Sequence, residues 1–183
     1  CRTWLAPELE SIYGRSLAHD GSDPIEAAVA QRELLDLNDG RLWAVKQQLK
    51  HRLLDFVSDR AAARYQRLGT NEARPQLDPG ALTIGIARRF ALYTRALLPF
   101  RDLERARRML LAADRPVQFL IAGKAHPADE PAKNVIRGVL ALARDHGLEH
   151  HVVFVEGYGQ RVSRLLLAGC DLWLNVPRRP LEA

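Results

Sequence analysis

Four short stretches of this sequence gather side chains suited to an anion joined to a polyol. They are Arg88-Arg89, Gly123-Lys124-Ala125-His126-Pro127, Glu156-Gly157-Tyr158-Gly159 and Pro177-Arg178-Arg179-Pro180-Leu181-Glu182. Arginine forks grip phosphate oxygens in pairs, and lysine adds a point charge. Carboxylates such as Glu156 and Glu182 accept hydrogen bonds from sugar hydroxyls. Glycines at 123, 157 and 159 let backbone N–H groups approach a phosphate, aided by a helix that starts nearby. On residue chemistry alone the set points to a phosphate- or phosphosugar-binding protein. Each stretch also has a plainer reading. Arg88-Arg89 can be a solvated pair, and Lys124 and His126 can serve a helix start or pair with Asp129 or Glu130.

What could bring the four stretches together is an open parallel sheet. Each follows a short apolar run: Leu82–Ile86, Val117–Ile121, Val152–Val155 and Asp171–Leu174. Near-continuous apolar character predicts strands covered on both faces. Helical patterns at about 101–113, 129–147 and 160–168 separate them. Alternation of strand and helix predicts a doubly wound α/β domain, whose ligands bind beyond the carboxyl ends of the strands. All four stretches then share one edge.

The first part of the chain reads differently. Asp23-Pro24-Ile25-Glu26 has the form of a helix start. A second start lies at Asn38-Asp39-Gly40. From there Leu42, Val45, Leu49, Leu53, Phe56/Val57, Ala61, Tyr65 and Leu68 recur every three or four residues. That spacing predicts one long helix ending near Gly69, with Lys46, Lys50, Arg52, Asp59, Arg60 and Arg64 on its polar face. Polar residues punctuated by Gly69, Pro75 and Pro79 divide the chain, giving a helical segment over 1–75 and a Rossmann-like domain over 80–183.

Composition excludes several classes. The 183 residues are 47 % hydrophobic, which is enough to bury a core. No apolar run approaches the roughly 20 residues of a membrane span. The +5 net charge is scattered among acids, as in Arg101-Asp102-Leu103-Glu104-Arg105, with no basic run carrying interleaved aromatics. Solvated helix faces explain it better than nucleic-acid binding. Cys1 and Cys170 form no CxxC or Cys/His cluster, so neither a metal site nor a disulfide framework is expected, and a reducing cytoplasm fits. No GxGxxG follows the first strand, and no GxxxxGK[ST], HExxH or GxSxG occurs. His150-His151 reads as a loop pair. Trp4, Trp43 and Trp173 are expected to pack in apolar surroundings.

Several ordered blocks resemble the bacterial short-form α-glucan (glycogen, starch or maltodextrin) phosphorylases. They are Thr3–Leu9 (TWLAPEL), Leu82–Phe90 (LTIGIARRF) with Tyr93-Thr94-Arg95, Ala122–Pro131 (AGKAHPADEP), Val153–Tyr158 (VFVEGY) and Asp171–Ala183 (DLWLNVPRRPLEA). The resemblance covers nearly the whole chain and implies a glycosyltransferase of the GT-B fold. The implied reaction is reversible phosphorolysis of α-1,4-glucan to glucose 1-phosphate, with pyridoxal phosphate bound to a lysine. Carried over by position, Arg88 lies by the cofactor phosphate and Arg89 binds the substrate phosphate. Tyr158 lies close to the cofactor, Glu182 accepts hydrogen bonds from glucose hydroxyls, and Lys124 has a supporting role. Glucan, inorganic phosphate and glucose 1-phosphate are the implied partners. No nucleic acid or membrane is expected, and a homo-oligomer is compatible with the sequence.

Three departures bear on that reading. Thr94 stands where the family usually has a phosphate-binding lysine, and Gly159 replaces a polar or charged residue. In the family the cofactor lysine follows shortly after the Glu-Ala pair, whereas this sequence ends at Ala183. The expectation is therefore a segment of the C-terminal half, inactive by itself. The alternatives are a nucleotide-sugar glycosyltransferase of the same fold and a non-catalytic glucan-binding homologue.

Overall fold

The computed structural model describes residues 6–13, 32, 38–70, 74–91 and 95–176. The helix start at Asp23–Glu26, Trp4, Tyr93, Thr94 and the stretch from Pro177 through Glu182 lie outside them. A short helix α1 (Pro7–Tyr13) precedes α2 (Asp39–Leu68). Then follow β1 (Leu82–Arg89), a 3-10 turn (Leu98–Phe100), α3 (Leu103–Leu110) and β2 (Val117–Lys124). The chain continues through α4 (Glu130–Asp145), β3 (Val152–Val155), α5 (Gln160–Gly169) and β4 (Leu172–Trp173).

The four strands form one parallel sheet in the order β3-β2-β1-β4. Two successive crossovers step outward from β1, and the third returns to its other side. Helices therefore cover both faces, and the reversal falls between β1 and β4. Ile84, Ile86, Phe119, Ile121 and Val152 meet residues of α3 and α4 on one face. Leu120, Ala122, Val153 and Val155 meet α2 and α5 on the other. Burying each such aliphatic side chain contributes about 1.5–3 kcal/mol.

Helix α2 begins where the sequence places it. Asn38 Oδ1 accepts from the Arg41 N–H at 2.9 Å. It ends at Gly69, whose φ of 63° is the left-handed conformation that closes a helix. The buried stripe differs from the expected one. Leu49, Leu53, Val57, Ala61 and Tyr65 are buried, but so are Lys50, Leu54 and Ser58. Leu68, 60 % exposed, lies in the last turn, past the core.

Lys50 does not belong to a solvated face: it is 3 % exposed. Its ammonium donates to Ala81 O at 2.7 Å and to Asp171 Oδ2 at 2.6 Å. Asp171 also accepts from the Thr83 N–H at 2.9 Å. Lys46 donates to Ala168 O and Cys170 O at the end of α5, complementing that helix's carbonyls. Gln118 adds hydrogen bonds to Thr83 Oγ1 and Asp78 O at 2.8 and 2.9 Å. This network sits at the amino edge of the sheet, opposite the expected ligand edge. Trp43 and Trp173, 62 and 38 % exposed, are not enclosed as the sequence reading expected.

Candidate functional site

The described strand-end residues occupy the carboxyl edge, with one correction. Arg88-Arg89 and Lys124 do not follow their strands. They are the last residues of them, because the β1–β2 ladder continues through Arg88↔Gly123 and Arg89↔Lys124. The side chains of Arg89 and Lys124 are exposed and stand on neighbouring strands in register. Strand alternation puts both on the α2/α5 face, whereas Arg88 follows Ile84 and Ile86 on the α3/α4 face. The consecutive arginines thus leave β1 on opposite sides of the sheet.

Arg88 is half-buried and spans the reversal point. Its Nη1 donates to Asn175 Oδ1, just beyond β4, at 3.0 Å. Arg95 Nε reaches Val176 O at 3.4 Å in the same region. Gly123 keeps this edge closed. A Cβ there would stand 2.1 Å from Phe90 Cε2 and 2.4 Å from Arg88 O. The Phe90 ring therefore folds over β2 and anchors the chain just after the arginine pair.

Glu156 does not face an open ligand edge. It pairs with Arg64 at 3.1 Å and Arg67 at 2.6 Å, both on α2. Next to it, Gly157 has a φ of 68°, and a Cβ there would meet Arg60 Nη2 at 2.3 Å. Tyr158 is half-buried against the α2/α5 core. The turn that carries Tyr158 is therefore gripped by α2. Helix spacing makes this grip recognisable in hindsight, since Arg60, Arg64 and Arg67 share one face of α2.

Other sequence candidates have local duties. His126 Nδ1 accepts from the Ala128 N–H at 3.2 Å, and Asp129 Oδ1 caps α4 by accepting from the Ala132 N–H at 2.9 Å. Glu130 pairs with Lys133 and Arg137, and the Lys133 hydrogen bond holds its carboxyl below the usual range. His150 Nδ1 accepts from the Gln76 N–H at 3.0 Å. Among the described residues Lys124 has no ion pair. Also among them, no group of three His, Cys, Asp or Glu could hold a metal, and no helix is long and apolar enough to cross a membrane.

Parallel strands with helices on both faces, and arginines and a lysine at the carboxyl edge, make this a doubly wound α/β chain with a cation-rich carboxyl edge. Its sequence relatives are more particular. It is 38 % identical to glycogen phosphorylase of Mycobacterium tuberculosis over 99 % of its own length and 21 % of that protein. It is 35 % identical to maltodextrin phosphorylase of Thermococcus litoralis, over 100 % of the chain and 22 % of the relative. With glycogen phosphorylase of Aquifex aeolicus the figures are 33 %, 99 % and 27 %. The chain is thus matched over nearly its whole length but spans only between 21 and 27 % of these relatives. No family model matches it.

Proposed function

We propose that this chain forms the phosphate-facing edge of a GT-B-type C-terminal domain in a cytoplasmic α-glucan phosphorylase. Residues 1–75 act as its helical lead-in and 80–183 as the Rossmann-like catalytic part. The reaction is reversible phosphorolysis, in which inorganic phosphate takes the terminal α-1,4-linked glucose as glucose 1-phosphate and the glucan is shortened by one unit. The observation that carries this reading is the placement of Arg89 beside Lys124 at the carboxyl edge, within a sequence matched end to end by phosphorylases.

Arg89 binds two oxygens of the substrate phosphate, and Lys124 adds positive charge from the next strand. Glu182, outside the described residues, receives glucose hydroxyls. The donor set also fits pyridoxal phosphate. Arg88, hydrogen-bonded to Asn175, would offer a cation to the cofactor's phosphate, and the half-buried Tyr158 would lie close to the cofactor. When bound, the cofactor supplies a phosphate that gives and takes a proton beside the substrate phosphate. The chain's own part is to orient two phosphates past the end of β1, Arg88 reaching from the α3/α4 face and Arg89 from the α2/α5 face so that the two phosphates meet beyond the carboxyl edge.

The test is phosphate-dependent release of glucose 1-phosphate from maltodextrin by the full-length protein. Arg89→Gln is expected to lower kcat/KM for phosphate at least about 100-fold, the scale of losing one charge-assisted bidentate contact. Full activity in that variant would overturn the reading.

A further inference from the structure

At the reversal point, side chains take over where the backbone ladder stops. β4 pairs with β1 only through Ile84↔Leu172 and Gly85↔Trp173, and a backbone bond from the Leu174 N–H to Gly85 O at 2.8 Å closes the run. On its β2 side, β1 stays in register through Arg88↔Gly123 and Arg89↔Lys124. The tie to the chain leaving β4 is then the Arg88 side chain, whose Nη1 donates to Asn175 Oδ1 at 3.0 Å. Arg88 is half-buried, whereas Asn175 is exposed. The bond therefore adds little to core packing. What it does is hold the tip of a long, rotamer-rich side chain at the mouth of the crevice. The type of acceptor matters as much as its place. A carboxylate there would pair with the guanidinium through two parallel hydrogen bonds and add a negative charge. An amide oxygen takes an N–H and adds no charge.

We propose that Asn175 is a positioning residue for the cofactor's phosphate group, aiming the Arg88 guanidinium across the reversal point without neutralising it. The inference rests on the reading of Arg88 as the cation beside that phosphate. It adds a requirement at position 175, namely an acceptor that carries no charge. That requirement separates positioning from plain structural support. For the fold alone, an aspartate side chain accepts from Arg88 as well as asparagine does. For an incoming phosphate it is worse than no acceptor, because it occupies the guanidinium fork and repels the ligand's own charge. Arg89 leaves β1 on the other face of the sheet, so the effect is confined to the group that Arg88 meets.

The test is binding of pyridoxal phosphate to the cofactor-free full-length protein, read by the absorbance of the bound cofactor, with melting of the same cofactor-free variants followed by circular dichroism. Asn175→Asp is expected to weaken binding at least about tenfold, the scale of one charged hydrogen bond, and Asn175→Ala only about threefold. The cofactor-free Asn175→Asp protein should melt within about 2 °C of the parent, as an exposed substitution that keeps an acceptor should. Pyridoxal, which lacks the phosphate, should bind the parent and both variants alike. Cofactor binding by Asn175→Asp that equals or exceeds that of Asn175→Ala would overturn the inference, and so would an equal loss with pyridoxal. Arg88→Gln separates this inference from the reading beneath it. If Arg88→Gln weakens cofactor binding while Asn175→Asp does not, Arg88 keeps its role and Asn175 loses the one proposed. If Arg88→Gln leaves cofactor binding unchanged, the role of Arg88 falls and that of Asn175 falls with it.

Discussion

Replacing Lys50 by methionine tests whether the polar network at the amino edge fixes α2 to the sheet. The substitution keeps length and apolar volume but removes a buried ammonium bonded to Ala81 O and Asp171 Oδ2. Breaking a buried ion pair by removing one partner costs about 3–5 kcal/mol. Here Asp171 keeps the Thr83 N–H, and its side chain retains 17 % exposure. Lys46, with Nζ at 3.9 Å from Oδ1, supplies part of the missing charge. Scaled for these, Lys50→Met should cost about 2–3 kcal/mol. The assay is urea unfolding of the 183-residue chain followed by far-ultraviolet circular dichroism, with an unchanged slope showing that only stability moved. Adding Asp171→Asn neutralises the stranded carboxylate while keeping an acceptor for Thr83, so it should recover about 1 kcal/mol. A single-variant loss below about 1 kcal/mol, or a second substitution that adds its full cost, would refute the argument.

Gly123→Ala should cost about 3 kcal/mol, because its Cβ meets the Arg88 carbonyl as well as the Phe90 ring and backbone cannot swing away. In thermal denaturation that is a fall of roughly 6–12 °C, and a melting point within about 2 °C of the parent would contradict it. The Cys170 thiol, pushed up to about 12 by burial from its ordinary 9.0, should resist a disulfide reagent at pH 8 until urea unfolds the chain. A thiol pKa raised on folding gives stability that is fully present below 9.0 and is lost as pH rises towards 12. Burial holds the Lys46 ammonium below its usual pKa, so that group acts in the opposite sense. Cys170→Ala should therefore flatten the alkaline fall in the urea midpoint, and an unchanged slope would count against it. Glu156→Gln should cost under about 1 kcal/mol, since the carboxylate is about one-third exposed. Its clearer effect should be faster amide exchange at Gly157–Gly159, and unaltered exchange there would contradict the proposed grip by α2.

Much of the architecture was legible because local and global signals agree. The four apolar runs became the four strands, and Asn38 and Gly69 bound the long helix as their types require. Ladder partners were not legible. Arg88-Arg89 and Lys124 look like loop residues in isolation, yet pairing with a neighbouring strand extends β1 and β2 through them. The same blindness hid Lys50. Periodicity assigns a lysine to water, and only the strand order brings Asp171 and the Ala81 carbonyl to its ammonium. At the site, residue types revealed the cations but not their partners. Asn175 gains its role from lying across β1, and Glu156 loses its expected one to two arginines about ninety residues earlier.

Helix α2 touches both ends of the sheet, and this gives it a mechanical character. Its 30 residues make a rod of about 45 Å. Lys46 and Lys50 pin one portion at the amino edge, and Arg60, Arg64 and Arg67 hold the turn at the carboxyl edge. From Lys50 to Arg67 is about 25 Å along the axis, so a tilt of about 5° about the pinned end sweeps the far end by about 2 Å. A displacement of that size is enough to make or break a hydrogen bond at the turn. The rod is also packed into the core between those two ends, through Leu53, Leu54 and Val57, so it acts as a brace that sets the spacing between a buried ion pair at one edge of the sheet and the Tyr158 turn at the other.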